Sequence, residues 1–243
     1  MAIYAKSSDE THAPGSKHEI REGLEVLADA KDPNSGKSST STGWCDISGH
    51  GHDSYVNLAS YTPKGPWFDF DGSNDYAFFT GGFGITENVS FSMEIMCKFD
   101  AFANPRGGLM SVGAFGDSYG FDNVGSTVRF GMRPGSTLHH ITTSTLSTGT
   151  WYYFTGTYND ANNKLKLYQN GAQVGTSVTV TTTGLSTGEQ LQIGRNTFIL
   201  GGSSTGADYF NGQVSVARMY KHKVLSADEH IYNWYHSRQA LGV

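Results

Sequence analysis

Cysteine is almost missing: Cys45 and Cys97 are the only two in 243 residues. Two thiols cannot build a disulfide framework, and the spacing leaves open whether they approach each other. Cys97 shares a strand face with Phe91, Met93, Ile95 and Phe99, where a reduced thiol packs as a small hydrophobe. There is no cluster of lysine and arginine, and the formal net charge is -5. That removes the electrostatic footprint of a nucleic-acid binder. No stretch approaches the roughly 18 to 20 apolar residues of a membrane span, and MAIYAKSSDETHAPGSK has no apolar export core. Neither nucleic acid nor membrane is an expected partner, and synthesis in a cytoplasm is the expectation. Long charge runs are absent too, and prolines number only six, which argues against a disordered chain.

What is present is glycine, at 31 residues, and aromatics at 13% of the chain. This composition fits many short strands joined by tight turns around a two-sheet core. In KLKLYQNG, Leu165 and Leu167 alternate with Lys164 and Lys166, so one face is buried and the other wet. Asn170-Gly171 then supplies the positive-φ pair of a type I′ hairpin. Val214, Val216 and Tyr220 repeat the period of two in a last strand. Ser226 and Glu229 form a capping box that opens a terminal helix. Residues 1–22 are polar, carry Pro14-Gly15 and show neither periodicity, so they are expected to form an extended arm outside a domain at 23–243.

Four earlier segments join this order: GLEVLADAKDP at 23–33, GWCDISGHGHD at 43–53, FDFDGSNDYAFF at 68–79 and VSFSMEIMCKFD at 89–100. Together the chain resembles the concanavalin A-like, laminin G-like jelly-roll domain, in the form found in bacteriophage virion proteins. The resemblance implies an all-β antiparallel sandwich with a first strand, a D-x-S-G-x-G turn, an F-D-G-x-x-D-Y strand pair and a long central strand.

Related jelly rolls include glucanases, whose chemistry needs two carboxyl groups about 5 to 9.5 Å apart. On the strand after Val89, residues Ser90, Ser92, Glu94, Met96 and Lys98 share a face. Only Glu94 is acidic and the E-x-D-x-E pattern is absent, so no hydrolase activity is expected. Glu94 reads as an ion-pair partner of Lys98 on a solvated sheet face. His50, His52, Asp53 and Cys45 carry zinc-ligand chemistry but fill a glycine-rich turn. His139 and His140 point to opposite faces of a strand and cannot chelate together. Calcium is the better metal candidate, because laminin G domains and pentraxins in the broader family bind it at one rim. Asp71, Asn74 and Asp75, with Asp208 and Asn211, could supply the oxygens, although the same residues fill turns for conformational reasons. Sugar recognition would use exposed aromatics, and Trp44, Trp67, Tyr119, Phe121 and Arg133 are the candidates, the last three in a region at 101–137 read as rim loops. Trp151 alternates with Tyr153, and Trp234 shares the helix with Ile231, so both are expected in the core.

The resemblance points first to a non-enzymatic virion structural protein, a capsid decoration, head fibre or tail-associated subunit. Residues 1–22 would strap it to other virion proteins, with homo-oligomers and avidity on a symmetric particle. The alternative is a carbohydrate-binding module for host surface glycans.

Overall fold

The computed structural model describes residues 20–35, 43–57, 66–81, 83, 89–102, 106–114, 117–180, 190–196 and 208–243. The arm expected at 1–22 therefore lies outside the described residues as far as residue 19.

Two antiparallel sheets pack face to face. Sheet A runs in the order β1 (Leu24–Asp29), β16 (Asn211–Lys221), β5 (Phe91–Phe99), β10 (Trp151–Asn159), β11 (Lys164–Gln169), β12 (Ala172–Thr179), and β3 (Phe68–Asp71) also pairs with β16. Sheet B runs β2 (Ser54–Asn57), β4 (Tyr76–Phe79), β13 (Leu191–Ile193), β6 (Arg106–Ala114), β7 (Asp117–Val124), β8 (Thr127–Arg133), β9 (His139–Thr142). A small ladder joins β14 (Arg195–Asn196) to β15 (Asp208–Tyr209), and α1 (Ala227–Leu241) ends the chain. It is too short and polar to cross a membrane, and no helix among the described residues is long and apolar enough to do so.

The main core lies between the sheets. Phe91, Met93, Ile95, Cys97 and Phe99 face into it from β5, and Tyr119, Phe121, Phe130 and Met132 meet them from sheet B. Burial pushes the Cys97 thiol far above its ordinary range, so it stays protonated and packs as an apolar group. A second, smaller cluster lies on the other side of sheet A, where Leu24, Leu27, Met96, Tyr153, Val216 and Tyr220 meet Trp234 of α1.

The hairpin between β11 and β12 has the expected turn: Asn170 has φ 50 and Gly171 φ 80, with Gln169 opposite Ala172. The capping box is present, the Ser226 hydroxyl accepting from the Glu229 amide and the Glu229 carboxylate from the Ser226 amide. Three expectations are corrected. The F-D-G-x-x-D-Y segment is not a strand pair, because β3 lies in sheet A and β4 in sheet B; the turn carries the chain from one layer to the other. A register shift between Val214 and Val216 against β5 puts Val214 in the main core and Val216 and Tyr220 on the outer side. Residues 101–137 hold three strands of sheet B, β6 to β8, in place of rim loops.

Candidate functional site

The outer face of sheet A is built in transverse rows. Ser92 lies beside Thr157 and Tyr220, Glu94 beside Thr155 and Arg218, Met96 beside Tyr153 and Val216, and Lys98 beside Trp151 and Gln213, with Asp69 of β3 completing the last row. The helix covers the first three rows. It does so with a polar underside, because its buried residues are His230, Asn233 and Ser237.

Glu94 is therefore not on a solvated face and not paired with Lys98. Its carboxylate accepts from Asn233 Nδ2 at 2.8 Å and Thr155 Oγ1 at 3.2 Å, and Arg218 Nη1 stands 3.9 Å away. Asn233 Nδ2 also donates to the Tyr220 hydroxyl, and Arg218 Nη1 donates to the Tyr153 hydroxyl and to Ser237 Oγ. Burial pushes the Glu94 pKa up to about 7, against the opposing pull of Arg218 and the hydrogen bonds. Glu94 is fully buried beneath the helix, so its carboxyl does not face an open cleft as a glycosidase acid would.

The fourth row is where the helix stops. Trp151 stands 5.9 Å from Trp67, ring centroid to centroid, and Lys98 Nζ lies 5.6 and 5.8 Å from the two rings. Behind them Gln213 Nε2 donates to Asp69 Oδ1 at 2.9 Å. On the other flank of Trp151 opens a groove of about 410 Å³, floored by Met96 and walled by Thr150, Asn170, Trp234 and Arg238. The Arg238 guanidinium lies 5.5 Å from the Trp234 ring centre. Trp67, Trp151 and Trp234 are all half-buried. Polar groups beside half-exposed indoles can stack a sugar ring and orient its hydroxyls.

The sequence candidates scatter. Trp44 is fully buried, stacked on Phe68 at 4.1 Å, and Tyr119 and Phe121 are core residues packed on Phe91 and Phe130. None of the three can reach a ligand. Their strand parity, not a loop, decides it: in SYGFDN the aromatics alternate inward while Ser118, Gly120 and Asp122 point outward. Arg133 sits at the end of β8 in sheet B, away from Trp67. Trp67 alone stands near the groove, on the opposite flank of Trp151. Trp151 and Trp234, expected in the core, do pack against the smaller cluster, only in part, and each also lines the groove, which the sequence reading did not foresee.

Three of the oxygen-bearing residues proposed for calcium, Asp71, Asp75 and Asn211, are engaged in turn hydrogen bonds. Asp71 Oδ1 accepts from the Ser73 and Asn74 amides, Asp75 Oδ2 from the Asp71 amide, and Asn211 Nδ2 donates to the Asp71 carbonyl. Asp208 belongs to the separate β14–β15 ladder. Among the described residues no three of His, Cys, Asp and Glu converge on one point. The side chains therefore act as turn locks. The DISGHGHD turn is similar: Asp46 accepts from the amides of Leu27, Ser48 and His52, and His52 turns to the Thr80 carbonyl at 3.1 Å and Glu25 at 3.7 Å.

Residues 37–229 match the laminin G form of the concanavalin A-like lectin/glucanases superfamily. The chain belongs to this family. No curated protein is similar to it in sequence. Among solved structures, this concanavalin A-like domain is similar to the binding domain of botulinum neurotoxin DC in complex with rat synaptotagmin II (12% identity, TM-score 0.64). It is also similar to a botulinum neurotoxin type C structure described as dependent on two ganglioside molecules for cell entry (14% identity, TM-score 0.65). In both pairs 90% of this chain and 52% of the other are covered. A Trypanosoma rangeli sialidase matches with 16% identity and TM-score 0.64 over 90% of this chain and 33% of that one. The chain thus spans about half or less of these proteins, and at such identities the likeness establishes the fold.

Proposed function

We propose that this concanavalin A-like domain is a non-catalytic carbohydrate-binding module, and that it binds glycans at the tryptophan surface on the outer side of sheet A. The observation that carries the reading is the series of half-buried tryptophans at the end of α1: Trp151 and Trp234 line the 410 Å³ groove and Trp67 stands on the other flank of Trp151. The similar structures are described as toxin binding domains and a sialidase, not as particle components. For that reason glycan binding leads here over virion attachment.

The test is a glycan array followed by calorimetry on the full chain. Trp151→Ala and Trp234→Ala should each weaken binding of the best array hit by roughly tenfold or more, as truncated aromatic anchors do. Tyr55→Ala, on sheet B and 53% exposed, should leave the affinity unchanged. Failure to retain any glycan, or equal affinity in the tryptophan variants, would remove the reading.

A further inference from the structure

The chain is acidic overall, with 22 Asp and Glu against 17 Lys and Arg. The tryptophan surface has the opposite local character. Each of its two flanks carries a cation held against an indole: Lys98 beside Trp67 and Trp151, and Arg238 beside Trp234. Neither forms an ion pair with Asp or Glu among the described residues. Arg238 Nε donates at 2.7 Å to an oxygen of Val243, the last residue of the sequence, which leaves its two outer nitrogens beside the groove as the lesser of the two cations, with Lys98 the principal one. The one carboxylate in the Lys98 row, Asp69, lies beyond Gln213, which donates to it.

A cation resting against an indole keeps its charge while losing part of its water, so an anion arriving there meets less screening than at an open surface. A neutral sugar would use the tryptophans and leave the cations, Lys98 above all, unanswered. A pyranose with a carboxylate on its ring uses both: the ring stacks on Trp151, shared by the two flanks, and the carboxylate reaches a cation. Arginine's outer nitrogens suit a carboxylate in particular, because the planar fork matches its two oxygens. We infer that the surface selects acidic sugars, carboxylate-bearing pyranoses, through Lys98 and Arg238. This rests on the glycan-binding reading and specifies its substrate class.

Calorimetry on the full chain with matched probes tests it: oligogalacturonate against its methyl ester, sialyllactose against lactose, and a sulfated oligosaccharide. At least one carboxylated probe should bind about tenfold tighter than its neutral partner, the equivalent of one charged hydrogen bond. The contrast should shrink as salt rises from about 50 to 500 mM. Lys98→Met, which keeps the apolar stem, or Arg238→Gln should erase it, and Lys98→Arg should keep it. Acids bound no tighter than their neutral partners would overturn the inference while leaving glycan binding intact. So would equal binding of the sulfated probe, or an acid preference that survives both Lys98→Met and Arg238→Gln. A chain that binds no neutral or acidic glycan overturns the glycan reading itself.

Discussion

Glu94 and His230 titrate in opposite senses under the same helix. Burial raises the Glu94 pKa to about 7 from its ordinary 4.5, so the folded chain holds this proton more tightly than the unfolded one. Its contribution is full below about pH 4.5 and is lost as pH rises through about 7, a swing on the order of 3 kcal/mol. Asp122, raised by burial to about 6 despite its contact with Arg129, slopes the same way. His230, packed on Tyr168 with its ring centroid 4.1 Å away, is lowered by burial to about 4. Its contribution is present above about pH 6.5 and is lost as pH falls through about 4. Two slopes fall with rising pH and one climbs, so His230 offsets only one of the two carboxyl groups and wild-type stability should decline by roughly 1 to 2 kcal/mol between about pH 5 and 6.5. Urea denaturation across that range should separate them: Glu94→Gln flattens the decline, because Asp122 and His230 then nearly cancel, and His230→Phe steepens it toward neutral pH. If Glu94→Gln shows the wild-type profile, the buried carboxylate is not the titrating group.

The terminal helix is where reading from residues both succeeded and failed. Ser226 and Glu229 mark its start because capping is local chemistry, written within four positions. Ser226→Ala should cost about 1 kcal/mol in thermal or chemical unfolding. The face it buries was not legible, because His230, Asn233 and Ser237 point inward while Ile231, Tyr232 and Tyr235 are exposed. A hydrophobic pattern read along this helix selects the wrong side, and alternation along β5 gave no sign that a helix covers Glu94, although Trp234 does pack against the smaller cluster as expected. Strand β10 hid Trp151 differently. Aromatics occupy both of its faces, Tyr152, Phe154 and Tyr158 inside, Trp151 and Tyr153 outside, so alternation carries no signal there. The Asn-Gly hairpin, by contrast, was plain, and it has a second task. A Cβ on Gly171 would lie 3.0 Å from Trp234 Cε3, at φ +80. Gly171→Ala should destabilise the chain by about 1 kcal/mol and weaken glycan binding by moving the groove wall.

At the scale of the whole sandwich, one contact shows how closely the layers mesh. On β10, Gly156 sits between Met93 and Leu167, and Phe130 from sheet B fills the space its missing side chain leaves; a Cβ there would come within 2.3 Å of the ring. Gly156→Ala should cost about 1 to 3 kcal/mol by overpacking, and Phe130→Leu should destabilise through the void it opens. Chemical denaturation of the double variant should recover part of the combined loss, because the two changes offset each other in volume; strict additivity would mean the ring does not seat there. Periodicity and composition made the two layers legible, but not the corner that sends β3 and β4 into different sheets, since a turn reads alike whether its strands pair or part. The latch under α1 also bears on ligand length. Oily stripes tolerate sliding, whereas Asn233, Ser237 and Arg218 meet their partners in a single register, so under the proposed glycan-binding role the interval between the indoles of positions 151 and 234 would work as a fixed gauge of ligand length.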